Sequence, residues 1–433
     1  MRKTIFWLHL LVGIVAGCVI LSMAISGMLI AWQRQIVDFA ERGFCVPARS
    51  VTEVLPPETL LAKAAAAKPG LSLVGLTLRS DPVRPATVTY GRDGVILLNP
   101  YTGEVLGEGA IPLRGFFRWV IAWHRWFALE GANKETGKAV TGACSLGFLG
   151  LVLSGVYLWW PRSWSRRVLK AIAMPSLSLR GKSRDFNWHN AVGLWCAPLL
   201  VLITTTGVIM SYSWANDLLY RVTGNEPPPA KKEGAERAGR SAAGKNSRMG
   251  ADGAAPSRAG SDAPARHRAG GEAKSGVPWT GLDPLWRAAT QRVADWNILS
   301  VRFGSGPPNQ MTFLIDRGDG GRPDLRSLLT MNAKNGEVVR WEPFDSNNAG
   351  KRLRMWARFT HTGEAGGWFG QTLATIASAG AVVLVVTGFA LAFRRLRSSI
   401  RRGNRDASSE MPAEISPSKT PQEVPSSRAL HVE

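Results

Sequence analysis

The sequence predicts a membrane α-helical fold: a four-helix transmembrane bundle built from an internal duplication, carrying two small α+β outer domains. Three observations carry that prediction. Four blocks contain no Asp, Glu, Lys or Arg: Thr4–Gln33, Ala139–Pro161, Trp188–Asn216 and Ala365–Phe393. Each is longer than the roughly 20 residues that cross about 30 Å of hydrocarbon. Short motifs recur between the two halves of the chain. Basic residues gather beside alternate ends of the apolar blocks, as the positive-inside rule requires of loops on one face.

In chain order, residues 1–33 form the first span. Met1-Arg2-Lys3 ahead of an apolar run is also how a secretory signal begins. The run is longer than a signal core of about 7–15 residues and no small-x-small cleavage site follows, which favours a retained helix. Residues 34–115 are expected to form the first outer domain. It holds a short helix at Pro57–Ala67, strands near Ser72–Arg79 and Ala86–Tyr90, and a hairpin at Asn99–Leu106. Residues 116–138 follow as an interfacial segment, helical over Arg118–Ala128 and then interrupted by the polar stretch Glu130–Lys138. Residues 139–161 are the second span, closed by the interfacial aromatics Trp159-Trp160 and Pro161. A basic cytoplasmic loop, 162–187, leads to the third span, 188–216.

Residues 224–276 contain no Ile, Leu, Val, Phe, Trp or Tyr. Such a stretch buries too little apolar area to offset its ordering entropy, so disorder is expected. Residues 277–350 repeat the outer domain, with a helix at Asp283–Trp296, strands near Leu299–Phe303 and Gln310–Asp316, and a hairpin at Asn332–Val339. An interfacial segment, 351–367, precedes the fourth span, 368–393. A cytoplasmic tail, 394–433, is expected to be mostly disordered.

The duplication is read from matched motifs. Phe6-Trp7-Leu8-His9 opens the first span and Phe186-Asn187-Trp188-His189 the third. Glycine follows each histidine four residues on (Gly13, Gly193) and again eighteen residues on (Gly27, Gly207), preceded there by Ser26 and Thr206. The second and fourth spans share the steps Ser154-Gly155 and Thr387-Gly388, and the two hairpins share Asn-x-x-x-Gly-Glu-Val.

A net charge of +21 would suggest nucleic acid in a soluble chain, but its placement argues otherwise. Arg2 and Lys3, the 162–184 loop with Arg162, Arg166, Arg167, Lys170, Arg180, Lys182 and Arg184, and the run Arg394 to Arg405 all mark one side. That side is cytoplasmic by the positive-inside rule, which places both termini inside and the two large segments outside an inner membrane. Membrane lipid, not nucleic acid, accounts for the charge. Cys18, Cys144 and Cys196 fall within spans and leave Cys45 alone outside, so no disulfide framework is expected. No C-x-x-C-H, dinucleotide glycine fingerprint or P-loop occurs.

Of six histidines, His267 and His431 lie in polar, low-complexity segments. The other four, His9, His124, His189 and His361, sit at membrane edges. The topology places His9 and His189 near the cytoplasmic face and His124 and His361 near the outer face. Two imidazoles from different segments at one depth are the resource that bis-histidine haem ligation needs. Two haem b groups are therefore expected, their iron held through His9, His189, His124 and His361. Gly13 and Gly193, one turn beyond their histidines, leave room for a porphyrin edge, although Gly13 with Gly17 also fits a small-xxx-small packing seam. Arg118, Arg125, Arg358 and Arg184 could pair with haem propionates or with lipid headgroups.

These residues resemble the PepSY-associated transmembrane family, which includes iron-regulated inner-membrane proteins and di-haem ferric-siderophore reductases. The resemblance rests on Trp7–His9, Trp123–Trp126, Ser154–Pro161, Asn187–Asn190 and Thr360–Glu364, and on the two hairpins, which look like those of PepSY domains. It covers roughly Arg2 to Arg402 apart from the 224–276 insert. The resemblance implies haem ligation by histidines of these motifs and reduction of a ferric-siderophore or similar iron chelate on the periplasmic side. The pairing of the histidines follows from the topology alone. The insert is expected to leave the second outer domain on a looser tether. With no nicotinamide or flavin site in the chain, a quinol or a separate reductase is expected to supply electrons. Two readings from other classes compete: a haem-free regulator of a cell-envelope partner, and an iron-chelate transporter.

Overall fold

The computed structural model describes residues 1–47, 54–91, 94–161, 164–229, 279–304, 307 and 309–409. The expected disorder of 224–276 falls, from residue 230 on, outside the described residues, as does the tail beyond 409. The last helix runs on into the tail as far as Ser409.

Four helices are long and apolar enough to span a membrane. They are α1 (Arg2–Ala31), α5 (Asn133–Trp159), α7 (Gly181–Ser211) and α11 (Gly367–Ser409). α1 and α7 each pack along α5 and α11, so α1 and α7 stand on one diagonal of a square bundle. Val152, Cys196, Ala197, Leu200, Ala377 and Ala381 form its dry centre, where small side chains let the helices approach closely. The four cysteines are free.

Shorter helices line the sheet-proximal end. α2 (Gln33–Ala40) continues from α1, and α4 (Ile111–Trp126) folds back over α1 and α5. α6 (Arg166–Ala173) packs on α7 at the opposite end, and α8 (Ser213–Val222) extends α7. α10 (Ala349–His361) packs on α7 and α8 much as α4 packs on α5 and α1.

The interruption expected at Glu130–Lys138 ends at Ala132, and Asn133–Lys138 are helical. Phe127 and Ala128 take left-handed backbone (φ 55° and 53°), which ends α4, and α5 begins at Asn133. Gly137 lies directly against the Trp126 carbonyl, and Thr141 donates to the Arg125 carbonyl at 2.7 Å. The polar residues of this stretch are thus the first turns of the span, satisfying the end of α4 rather than breaking the helix.

The outer segments depart from expectation in a second way. The strands β1 (Leu73–Arg79), β2 (Ala86–Tyr90), β3 (Gly94–Leu98) and β4 (Val105–Gly107) come from the first segment. The second supplies β5 (Ile298–Arg302), β6 (Gln310–Asp316), β7 (Arg326–Asn332) and β8 (Val338–Pro343). All eight form one antiparallel sheet ordered β4-β3-β2-β1-β5-β6-β7-β8. The two expected domains are therefore one body. Its seam is the β1–β5 ladder, in which Leu76 faces Val301 and Leu78 faces Leu299. Gly75 is required there, since a Cβ would lie 2.6 Å from the Val301 carbonyl oxygen.

One face of the sheet is covered by α3 (Pro57–Ala67) and α9 (Leu282–Arg292), and residues of both segments share one buried core. The first turns of these helices cap each other. Glu58 N donates to Asp283 Oδ1 at 2.8 Å and Asp283 N to Glu58 Oε1 at 3.1 Å, placing a carboxylate at each positive helix end. The second segment is thus held by strand pairing, core and caps, not by a loose tether.

Candidate functional site

Each of the four membrane-edge histidines sits against a Ser/Thr-Gly step of a neighbouring helix. His9 Nδ1 lies 2.8 Å from Ser154 Oγ, His189 Nδ1 2.9 Å from Thr387 Oγ1, and His124 Nδ1 2.9 Å from Ser26 Oγ. His361 Nδ1 lies 3.2 Å from Thr206 Oγ1 and 2.9 Å from the Ile203 carbonyl.

The hydroxyls settle the tautomer. Each already donates its single proton to the carbonyl four residues earlier: Ser154 to Gly150, Thr387 to Val383, Ser26 to Ser22 and Thr206 to Leu202, at 2.7–2.8 Å. A hydroxyl that has given its proton can only accept, so Nδ1 carries the hydrogen on every ring. The lone pair of each neutral imidazole is then on Nε2. Burial, with His361 opposite, lowers the pKa of His124 to about 4, and burial lowers that of His361, so both rings stay neutral.

Each ring lies over the glycine of its step, and only at Gly207 is the approach tighter than ordinary contact. A Cβ on Gly155, Gly27, Gly207 or Gly388 would stand 3.4, 3.4, 3.2 or 3.5 Å from the Cε1 of its histidine. The expected residues come together as expected pairs. The His9 and His189 ring centroids are 6.5 Å apart, and those of His124 and His361 are 6.3 Å apart. Two metal–nitrogen bonds of about 2 Å, plus about 1.1 Å from each nitrogen to its ring centre, give about 6.2 Å for one metal bridged by two imidazoles. The pair members descend from the diagonal helices α1 and α7 in one case and from α4 and α10 in the other.

Among the described residues no group of three or more His, Cys, Asp or Glu could hold a metal. A structural or catalytic zinc site needs three or four protein ligands, so neither pair supplies one. A centre whose equatorial ligands come from a macrocycle needs only two axial nitrogens, and the donor set fits that demand. A cavity of about 440 Å³ lies beside His9 between α1 and α5, lined by His9, Val12, Gly147, Gly150, Ser154 and Tyr157, among other residues, but not by His189. Gly13 is open enough that a Cβ would meet only Leu151 Cδ2 at 3.9 Å, whereas Gly193 faces Leu384 Cδ2 at 3.4 Å. Gly17 plays the packing role instead, its Cα face lying against the Phe389 ring.

The two pairs lie far apart along the bundle. On α1, 17 residues separate His9 from Ser26, the contact of His124, and on α7, 17 separate His189 from Thr206, the contact of His361. The helical rise makes each interval about 25 Å. The arginines singled out beside the histidines have protein partners: Arg184 pairs with Asp185 at 3.0 Å, and Arg125 and Arg358 lie over Trp126 and Phe359. Ser26, Ser154, Thr206 and Thr387 are the site residues to which sequence reasoning gave no role. Their signal was present in the repeat-matched steps Ser26-Gly27 with Thr206-Gly207 and Ser154-Gly155 with Thr387-Gly388.

A comparison with curated proteins finds no match. Residues 6–395 match the family model of the PepSY-associated TM region, an extent that takes in all four spans, the sheet and both histidine pairs, and the chain therefore belongs to the PepSY-associated transmembrane family.

Proposed function

We propose that this is an inner-membrane di-haem b electron-transfer protein that reduces a ferric-siderophore or similar iron chelate on the periplasmic side. The observation that carries the reading is the geometry of two imidazole pairs with ring centres 6.5 and 6.3 Å apart, each ring engaged with a hydroxyl through Nδ1. A b-type haem bound at each pair would supply one-electron chemistry at two depths of the bilayer. His9 and His189 would hold the one nearer the cytoplasm, and His124 and His361 the one nearer the periplasm.

The chain's own groups prepare both places. Burial keeps the outer rings neutral and excludes water, the Ser and Thr hydroxyls hold Nδ1–H, and the glycines admit the rings against the helices. Arg2, Lys3, Lys170 and Arg394 to Arg401 lie at the end opposite the sheet, which supports a periplasmic sheet and cytoplasmic termini. The proposed reaction takes one electron from a quinol or a separate reductase on the inner side and delivers it to Fe(III) of the chelate outside. Fe(II) is softer and less charged, so a hard-oxygen chelator holds it less well. The equal 17-residue intervals on α1 and α7 and the mirrored strand order support descent of the two halves from one duplicated unit.

The test is the haem-to-protein ratio and reduced-minus-oxidised spectrum of the purified protein. Two haems per chain are expected, with His9→Ala and His124→Ala each removing a different one. Prereduced vesicles should then reduce an external ferric chelate, and neither variant should do so. Absence of stoichiometric haem would refute the proposal, and a ratio of one would break one of the pairs.

A further inference from the structure

The four hydroxyls differ in how much of the load they carry. Ser154, Ser26 and Thr387 are the only partners of His9, His124 and His189 Nδ1 among the hydrogen bonds of the described residues. His361 has a backbone carbonyl as well, that of Ile203 at 2.9 Å. That carbonyl belongs to the residue three positions before Thr206, in the same turn of the helix. An acceptor on Nδ1–H raises the electron density at Nε2 and fixes ring orientation, which favours the higher oxidation state of a bound metal.

We infer that Ser26, Ser154, Thr206 and Thr387 are positioning residues that set the redox balance of the two centres separately. Ser154 and Thr387 act on the inner centre, Ser26 and Thr206 act on the outer one, and Thr206 has the smallest share. This rests on the proposed haem ligation but goes beyond it, because ligation alone does not require the hydroxyls. Loss of Ser154, Ser26 or Thr387 removes the hydrogen-bond partner of its Nδ1–H. Loss of Thr206 leaves the Ile203 carbonyl to accept it.

The experiment is a spectroscopic redox titration of the full chain in membranes or detergent, with haem per protein measured on each sample. Ser154→Ala should favour reduction of one centre by about tenfold in its equilibrium constant, which is about 59 mV for one electron. It should leave the other centre at its wild-type position. Thr387→Ala should move the same centre as Ser154→Ala comparably, Ser26→Ala should move the other centre alone, and Thr206→Ala should move that other centre by less. Ser154→Thr should restore the wild-type titration. Where Ser154→Ala is not recovered, Ser154→Cys keeps the volume with a weak acceptor and should show the same direction.

The inference is overturned if the alanine variants keep two haems and both centres titrate as in wild type. It is also overturned if Ser154→Ala moves both centres equally, or moves less than Thr206→Ala. Wild-type protein without haem would overturn the ligation itself, an outcome recognisable before any variant is made.

Discussion

Leu299→Ala tests whether the two outer segments form one cooperative body. Leu299 is fully buried in β5, in the second segment, yet its cross-strand partner Leu78 lies in β1 of the first. Removing the side chain beyond Cβ deletes three carbons of buried surface, worth about 2.4 kcal/mol at about 0.8 kcal/mol each. The cavity left in a core shared by α3, α9 and both strand sets raises the cost to about 3–4 kcal/mol. With a urea dependence of about 2 kcal/mol/M, the unfolding midpoint of the sheet should fall by roughly 1.5–2 M. Pulse proteolysis with trypsin in urea, resolved by mass spectrometry, reads the two segments separately. Cleavage after Lys63 and Arg79 reports the first, and cleavage after Arg317 and Arg326 the second. One cooperative body requires both sets to shift to the same lower urea concentration. If Lys63 and Arg79 stay protected to the wild-type midpoint while Arg317 and Arg326 open early, the joined core is wrong.

Three further outcomes follow from particular contacts. A single protease cut introduced between residues 229 and 279 should leave two fragments that co-purify, because the β1–β5 ladder and the paired caps of Glu58 and Asp283 hold them together; separation on gel filtration would contradict the continuous sheet. Glu41→Ala should destabilise the protein by about 3 kcal/mol in thermal unfolding, since the 9 % exposed carboxylate accepts from Arg114 Nε, Arg114 Nη2 and Ala110 N and anchors the start of α4. It should also lower the yield of the haem proposed at His124 and His361 without touching the one proposed at His9 and His189. Gly388→Ala should be neutral or slightly stabilising, because its Cβ finds 3.5 Å to His189 and alanine favours helix by up to about 1 kcal/mol. Gly207→Ala, at 3.2 Å from His361, should instead displace that ring and alter the outer spectrum, and equal behaviour of the two variants would refute the role of the seat.

How much of this was legible before folding differs by element. The spans were legible because uncharged runs of more than about 20 residues have few alternatives to the bilayer. Ala86–Tyr90, Gln310–Asp316 and Pro57–Ala67 were placed at the bounds they occupy, since turn residues and alternation mark such short elements well. The start of α5 was misjudged because Lys134, Glu135 and Lys138 look like a break in an apolar pattern, whereas their backbone is committed to closing a turn around the end of α4. Nothing local signals that.

The sequence by itself determined the number of spans, their alternation, and the end of the bundle at which each histidine lies, because hydropathy and charge act on every residue independently of its distant neighbours. Topology then forced His9 to one side with His189, and His124 to the other with His361. Only the tertiary structure decided that the rings meet within reach of a single ion, and that their Nδ1 hydrogens are spoken for by Ser154, Thr387, Ser26 and Thr206. Only it decided that two segments separated by a long polar insert close into one sheet. Strand edges carry the same backbone donors and acceptors whatever their sequence, so β1 pairs with β5 by virtue of Leu76, Leu78, Leu299 and Val301 sharing a core. That is a long-range agreement no window of the chain contains.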